Sequence, residues 1–255
     1  MQNWFQADNV ILWGTLATIG TGFATGVGAL PALFTVHVSD KLLDGLLGFA
    51  AGVMLAATAF SLLVPAMELG NVWVAVAGVL LGAAFVALMD RVVPHIHFIG
   101  GAEGPAASTL KRITLLILAI TIHNFPEGMA VGVGFGGGDL RAGFVLAIAI
   151  GLQNMPEGLA VALPLIRESY NRWKAVGLAL LSGLVEPIGG FIGAAAVSVA
   201  GPLLPWGLAF AAGAMLYVIS EEIIPETHRK GYAKVGTVGL LIGFVVMMAL
   251  DNIFG

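Results

Sequence analysis

Apolar residues run through this chain in long stretches, and short polar or Gly/Pro/Asn-rich breaks separate them. A helix needs roughly 20 apolar residues to cross the hydrocarbon core of a bilayer. Cutting the chain at its breaks predicts eight such helices, near 9–36, 42–69, 71–90, 108–135, 140–166, 172–199, 203–224 and 234–254. The connections between them are short and leave no room for a soluble domain. The longest runs from Arg91 to Ala107 and contains Pro94, His95, His97 and Glu103. The expectation is therefore one all-α polytopic membrane domain over residues 1–255. Met1–Asp8 lacks a basic n-region and a clear cleavage site, so it does not read as a cleaved signal peptide.

Composition strengthens this reading. The chain is 58% hydrophobic and 10% charged, where a soluble domain carries about 25% charged residues. Its mean hydropathy is +0.97. A soluble enzyme or a nucleic-acid binder is excluded on these grounds. The net charge of −4 matters less than where the charges fall. With eight spans both termini share a side, and the loops form two sets. One set holds Lys41, Arg91, Lys111, Arg112, Arg167, Arg172, Lys174, Arg229, Lys230 and Lys234; the other holds only Arg141. Basic loops stay in the cytoplasm, so both termini are expected outside in a multi-pass membrane protein. The chain has no cysteine, which rules out disulfides and thiolate metal ligands.

Against this apolar background two hexapeptides stand out. His123-Asn124-Phe125-Pro126-Glu127-Gly128 is followed by Gln153-Asn154-Met155-Pro156-Glu157-Gly158, and each runs on into an Ala-Val pair. Helix rise of about 1.5 Å per residue puts both near the middle of their spans. Glu186, followed by Pro187, lies halfway along the sixth span. Each charge inserted at such a depth costs about 2.5–3.5 kcal/mol, so the set marks a functional site by default. A single Asn in a membrane helix is often packing glue, hydrogen-bonded across helices. Three carboxylates and a histidine at one depth are not.

His123 and Glu127 are four apart and share a helix face, as do Gln153 and Glu157. Pro126 and Pro156 free the carbonyls of Ile122 and Leu152, which is tolerated at membrane depth only beside protein or a polar cavity. Matching motifs on antiparallel helices suggest the inverted repeats of carriers with midplane sites. Glutamate oxygens, an imidazole and amide oxygens suit a borderline divalent metal. Zn2+, Cd2+, Fe2+, Mn2+ and Co2+ all accept such ligands as transported substrate, with no cofactor required. Three clustered carboxylates cannot all ionise unaided, so metal binding is expected to displace protons.

Other classes fit less well. An intramembrane metalloenzyme would need a water-activating base beside an open metal position, and the chain contains neither His-Glu-x-x-His nor Gly-x-Ser-x-Gly. No enzyme activity is expected. A pore with a fixed site, or an ion-coupled carrier of organic cations, remains an alternative. Polar residues also gather at the ends of the spans. Asp90, His95, His97, Glu221, Glu222 and His228 fall on the cytoplasmic side, and Glu68 and Asp251 on the outer side. They are either solvated interfacial residues or relay ligands. Glycines in the first two spans allow close helix approach. Met54, in the second span, reads from its residue type alone as core filler.

The two Asn-x-Pro-Glu-Gly motifs, with Glu-Pro on the sixth span, resemble the Zrt/Irt-like (ZIP) metal transporters, in particular the bacterial branch that includes GufA-type and ZupT-type proteins. That resemblance covers essentially the whole chain. It implies a 3+2+3 arrangement of eight helices with inverted symmetry and both termini outside. It also implies a homodimer and uptake of Zn2+ and related metals through a binuclear site. By matching position, His123, Glu127, Gln153 and Glu157 would hold one metal. Asn124, Asn154 and Glu186, with bridging Glu127 and Glu157, would hold the second. Met54 and Ser61 fall where the family's second helix supplies a methionine ligand and a small polar residue. Asp90, His95, His97, Glu221 and Glu222 resemble the cytoplasmic exit, and Ser61, Glu68 and Asp251 the outer entrance. Some relatives carry Asp at the position of Asn154, so the second metal is expected to bind more weakly here. The resemblance also implies an elevator-type motion of helices one, four, five and six against the other four.

Overall fold

A computed structural model of the chain describes residues 9–35, 37–92, 95–97, 101–103, 112–167 and 169–254. The side chains of 95–97, 101–103, 112–116 and 119 lie outside that description, as do Met1–Asp8 and Lys111. Helices carry the fold. Helix α1 (Val10–Ala29) ends in a 3-10 turn at Leu30–Leu33 that contains Pro31. Helix α2 (Asp40–Ala56) starts on Ser39, whose hydroxyl accepts from the Leu42 amide at 3.2 Å. It continues unbroken through a π-helical turn, Ala57–Leu63, into α3 (Val64–Leu69). After α4 (Val72–Val92) comes a small antiparallel ribbon, β1 (His95–His97) with β2 (Gly101–Glu103). This is the one departure, among the described residues, from an all-helical chain.

Helices α5 (Arg112–Gly136) and α6 (Leu140–Arg167) follow. Asp139 joins them, its side chain accepting from the amides of Arg141 and Ala142. Then come α7 (Arg172–Gly183), capped by Asn171, and α8 (Glu186–Val199). Helix α9 (Leu204–Val218) runs through a second π-helical turn, Ile219–Ile223, into α10 (Ile224–Arg229), and α11 (Ala233–Phe254) closes the chain.

Among the described residues, seven stretches are long and apolar enough to cross a membrane: Val10–Leu33, Asp40–Leu69, Val72–Val92, Leu140–Arg167, Arg172–Val199, Gly201–Arg229 and Ala233–Phe254. Helix α5, at 25 residues, spans about 37 Å by helix rise. Burial differs sharply among them. The apolar window of α6 is 67% buried inside the protein, that of α11 only 17%. Helix α6 is thus an inner helix. On α11, Leu241, Ile242 and Val245 stay exposed, as on a face that meets lipid. Packing falls into two groups. Helices α1, α5, α6 and α8 pack on one another, while α2 packs on α11 and α4 on α9; α2 on α6 and α5 on α9 join the two.

Two glycines explain why the hexapeptides end as they do. A Cβ on Gly128 would overlap the backbone of Glu186, and one on Gly158 the backbone of Thr25. Each motif glycine is therefore a point of backbone-to-backbone approach, of α5 on α8 and of α6 on α1. A second internal repeat is also present. Phe49–Leu55 and Phe210–Leu216 differ only at Val53 and Ala214. Each copy leads into a π-helical turn and then Pro65 or Pro225. A proline cannot donate to the carbonyl four residues back, and the wider π turn absorbs the mismatch.

Candidate metal centre

The sixth apolar stretch is not one helix. It breaks at Leu184–Val185, and Glu186 becomes the first residue of α8, with Pro187 behind it. Glu186 is fully buried. Its position at a helix N-terminus, where backbone amides point outward, favours a negative charge. The Thr21 hydroxyl of α1 donates to Glu186 Oε2 at 2.5 Å, and the Asn154 amide nitrogen donates to Glu186 Oε1 at 2.7 Å. Asn154 also donates to the Thr21 carbonyl at 2.9 Å. Three helices, α1, α6 and α8, are thereby tied around one carboxylate.

The rest of the motif atoms are buried without such ties. Both carboxylate oxygens of Glu127, both amide atoms of Asn124 and of Gln153, Oδ1 of Asn154 and Oε1 of Glu157 make no hydrogen bond. The Gln153 amide lies beside the Glu127 carboxylate without reaching hydrogen-bond geometry. The charges facing Glu127 are Glu157 and Glu186, and those facing Glu157 are His123 and Glu222. Buried polar atoms are ordinarily paired, and each one left over calls for an explanation. A convergent set of oxygens without protein donors is the donor set a hard or borderline cation would complete.

On the other side of His123 lies a second cluster. His123 Nε2 pairs with Glu222 Oε1. One ligand atom each from Asp90, His123 and Glu222 lies within 4.8 Å of the others, the one such group of three among the described residues. Sequence depth puts Glu222 at the inner end of its span. The helical stretch instead runs on to Arg229, which sets Glu222 in the protein beside the first hexapeptide. Its neighbour Glu221 is exposed, so the π-helical turn sends the two adjacent carboxylates different ways. Met54 is fully buried in the apolar core that also holds Met215, its counterpart in the repeat, and the Thr58 hydroxyl approaches the Met215 sulfur at 4.0 Å. The Ser61 hydroxyl, in the other π-helical turn, donates to Asp251 Oδ1 at 2.6 Å, while Glu68 is exposed. His95 and His97 lie on β1, with their side chains outside the described residues.

Sequence reasoning missed two contributors. Thr21 looks like any helix threonine, and nothing local marks it. The repeat, which aligns α9 with α2, signals that the span extends past Glu222, but its partnership with His123 follows only from tertiary structure.

The fold and this buried cluster define a multi-pass membrane protein with a polar interior. Comparison with known proteins makes that specific. The family described as "ZIP Zinc transporter" matches residues 100–251. The chain is 45% identical over 251 residues to the zinc transporter GufA of Myxococcus xanthus, covering 95% of this chain and 99% of that one. It is 46% identical to the zinc transporter ZIPB of Bordetella bronchiseptica, covering 92% and 79%. It is 39% identical to the zinc transporter ZIP11 of Homo sapiens, covering 92% and 96%. The chain belongs to the ZIP family.

Proposed function

We propose that this protein carries divalent transition metal, zinc foremost, from outside the cell into the cytoplasm. The observation that carries this is the set of buried, partnerless oxygens on Asn124, Glu127, Gln153, Asn154 and Glu157. The cation is the substrate, and Cd2+, Fe2+, Mn2+ and Co2+ compete for the same donors. His123, Glu127, Gln153 and Glu157 hold one ion. Asn124, Asn154 and Glu186 hold a second, with Glu127 and Glu157 between them. Metal enters past Ser61, Glu68 and Asp251 and leaves past Asp90, Glu222 and Glu221 toward His95 and His97. Met54 serves as a weak thioether ligand at most.

Residues 1–255 form one transmembrane domain of the bacterial cytoplasmic membrane, working as a homodimer. It has eight spans in a 3+2+3 plan with both termini outside, α5 supplying the fourth. Helices α1, α5, α6 and α7–α8 move as a unit against α2–α3, α4, α9–α10 and α11. The mutual packing of α1, α5, α6 and α8 supports this elevator reading, with α2 on α6 and α5 on α9 as the surfaces that would slide. So does the broken α7–α8 helix, since discontinuous helices bearing midplane sites recur in carriers. The membrane potential drives entry with about 2.3 kcal/mol per charge per 100 mV. Protein-containing vesicles loaded with a fluorescent zinc indicator test the proposal. Saturable influx is expected for wild type and none for Glu157→Ala. Wild-type flux in that variant would remove the central site from the pathway.

A further inference from the structure

We propose that an anionic phospholipid headgroup binds between the start of α2 and the end of α6. A cavity of about 510 Å3 lies there, lined by His37, Val38, Ser39, Ile166 and Arg167. Its height in the membrane follows from the chain itself, because Asp40 opens one membrane-crossing stretch and Arg167 closes another. The cavity therefore lies at the boundary between headgroups and hydrocarbon. It is on the side where the basic loops gather. Basic pockets between helices on that side are where anionic headgroups bind.

Among the described residues, Arg167 and Lys230 are paired at this spot, and Lys41 is not. Arg167 Nη1 lies 3.5 Å from Asp40 Oδ1, and Nη2 donates to the Val38 carbonyl at 3.2 Å. Lys230 also lies 3.5 Å from the same Asp40 oxygen. Lys230 is shared with Glu226 at 3.5 Å, whereas Lys41, next to Asp40, is exposed with no ion pair among the described residues. A guanidinium has five donors, and two are used here. A phosphodiester would take the remaining fork of Arg167 in the two-point geometry that Arg favours. Ser39 already accepts from Leu42 and keeps its own hydroxyl proton to donate.

A second crevice makes this a lipid site rather than one for free phosphate. It measures about 270 Å3, shares Ser39 with the first, and adds Lys41, Leu42, Gly45, Leu46 and Val235. The pair gives a basic pocket continued by a mostly apolar trench between α2 and α11, which fits a headgroup and the start of its acyl chain. Leu42 is 55% exposed along that trench. The proposal does not depend on what the protein transports.

Native mass spectrometry of the purified full-length protein, with phosphatidylglycerol or phosphatidylcholine added, tests it. Wild type retains phosphatidylglycerol in preference to phosphatidylcholine. Removing basic side chains lowers that retention on the order of five-fold per residue in Arg167→Gln and Lys41→Gln. Lys174→Gln, basic but outside the cavity, leaves it unchanged. Lys41→Gln keeps the test sound if Arg167→Gln misfolds, since Lys41 is exposed and has no ion pair among the described residues. Equal retention of the two lipids, unchanged retention in Lys41→Gln, or displacement of the lipid by inorganic phosphate would each overturn the proposal.

Discussion

The two hexapeptides are near-copies in sequence and unlike in their surroundings. The copy on α6 is tied down at Asn154, which donates to Glu186 and to the Thr21 carbonyl while Thr21 donates to the same Glu186; Gln153 and Glu157 Oε1 stay unpaired. The copy on α5 is open. Glu127 and Asn124 are buried without a hydrogen bond, and His123 reaches across to Glu222 of the other helix group. The near-identical motifs thus differ chiefly at their asparagines: Asn154 belongs to a preorganised wall, whereas Asn124 is an unsatisfied ligand. A site that must both bind and release an ion needs both. Tied donors hold geometry at little reorganisation cost, and untied ones hold the binding energy.

Glu127→Ala gives the largest effect. Influx falls to background while the helical circular dichroism and the thermal midpoint in detergent stay close to wild type, because Glu127 has no protein hydrogen bond to lose. Glu186→Ala breaks the comparison the other way. It also abolishes influx, but it removes the hydrogen bonds that Thr21 and Asn154 make to Glu186 and lowers stability by about 1–3 kcal/mol.

The glycines come next. Gly128→Ala and Gly158→Ala both force backbone apart, at about 1–3 kcal/mol each by thermal unfolding. Gly128→Ala pushes directly on Glu186 and weakens zinc binding as well, whereas Gly158→Ala pushes on Thr25 and changes zinc affinity less. Equal losses of affinity would show that the two copies are equivalent after all.

Asn154→Asp sharpens the contrast. The new carboxylate faces Glu186 and the Thr21 carbonyl where an amide donated before, so the metal-free protein loses about 1–3 kcal/mol. Zinc binding tightens by about tenfold, ~1.4 kcal/mol, read as a larger zinc-induced rise in melting temperature. Ser61→Ala, remote from both copies, removes one hydrogen bond to Asp251. It raises the KM for influx by a factor on the order of two to ten with kcat unchanged.

Much of this was legible in the sequence because charge is costly in apolar surroundings. His123, Glu127, Glu157 and Glu186 stand out against their neighbours for that reason alone, and the apolar stretches themselves announce a helical membrane protein. Thr21 was not legible. A threonine satisfies itself on its own helix, as Thr18 does on the Gly14 carbonyl, and gives no local sign of reaching elsewhere. The break before Glu186 was half visible. Pro187 permits it, but proline at the first turn of a helix is equally ordinary. Counting residues along a straight helix placed Glu222 at a mouth, since the π-helical turn and the continuation into α10 are properties of packing and of Pro225, not of hydropathy. The pairing of Asp90 with His123 and Glu222 joins three helices and follows only from tertiary structure.

The most direct test of the central claim is equilibrium zinc binding to the purified protein. Wild type is compared with Glu127→Gln/Glu157→Gln and with Glu68→Gln. Tight binding that disappears in the double variant and persists in Glu68→Gln is the predicted result. Zinc bound equally well by the double variant and wild type would contradict a metal site built from the two hexapeptides.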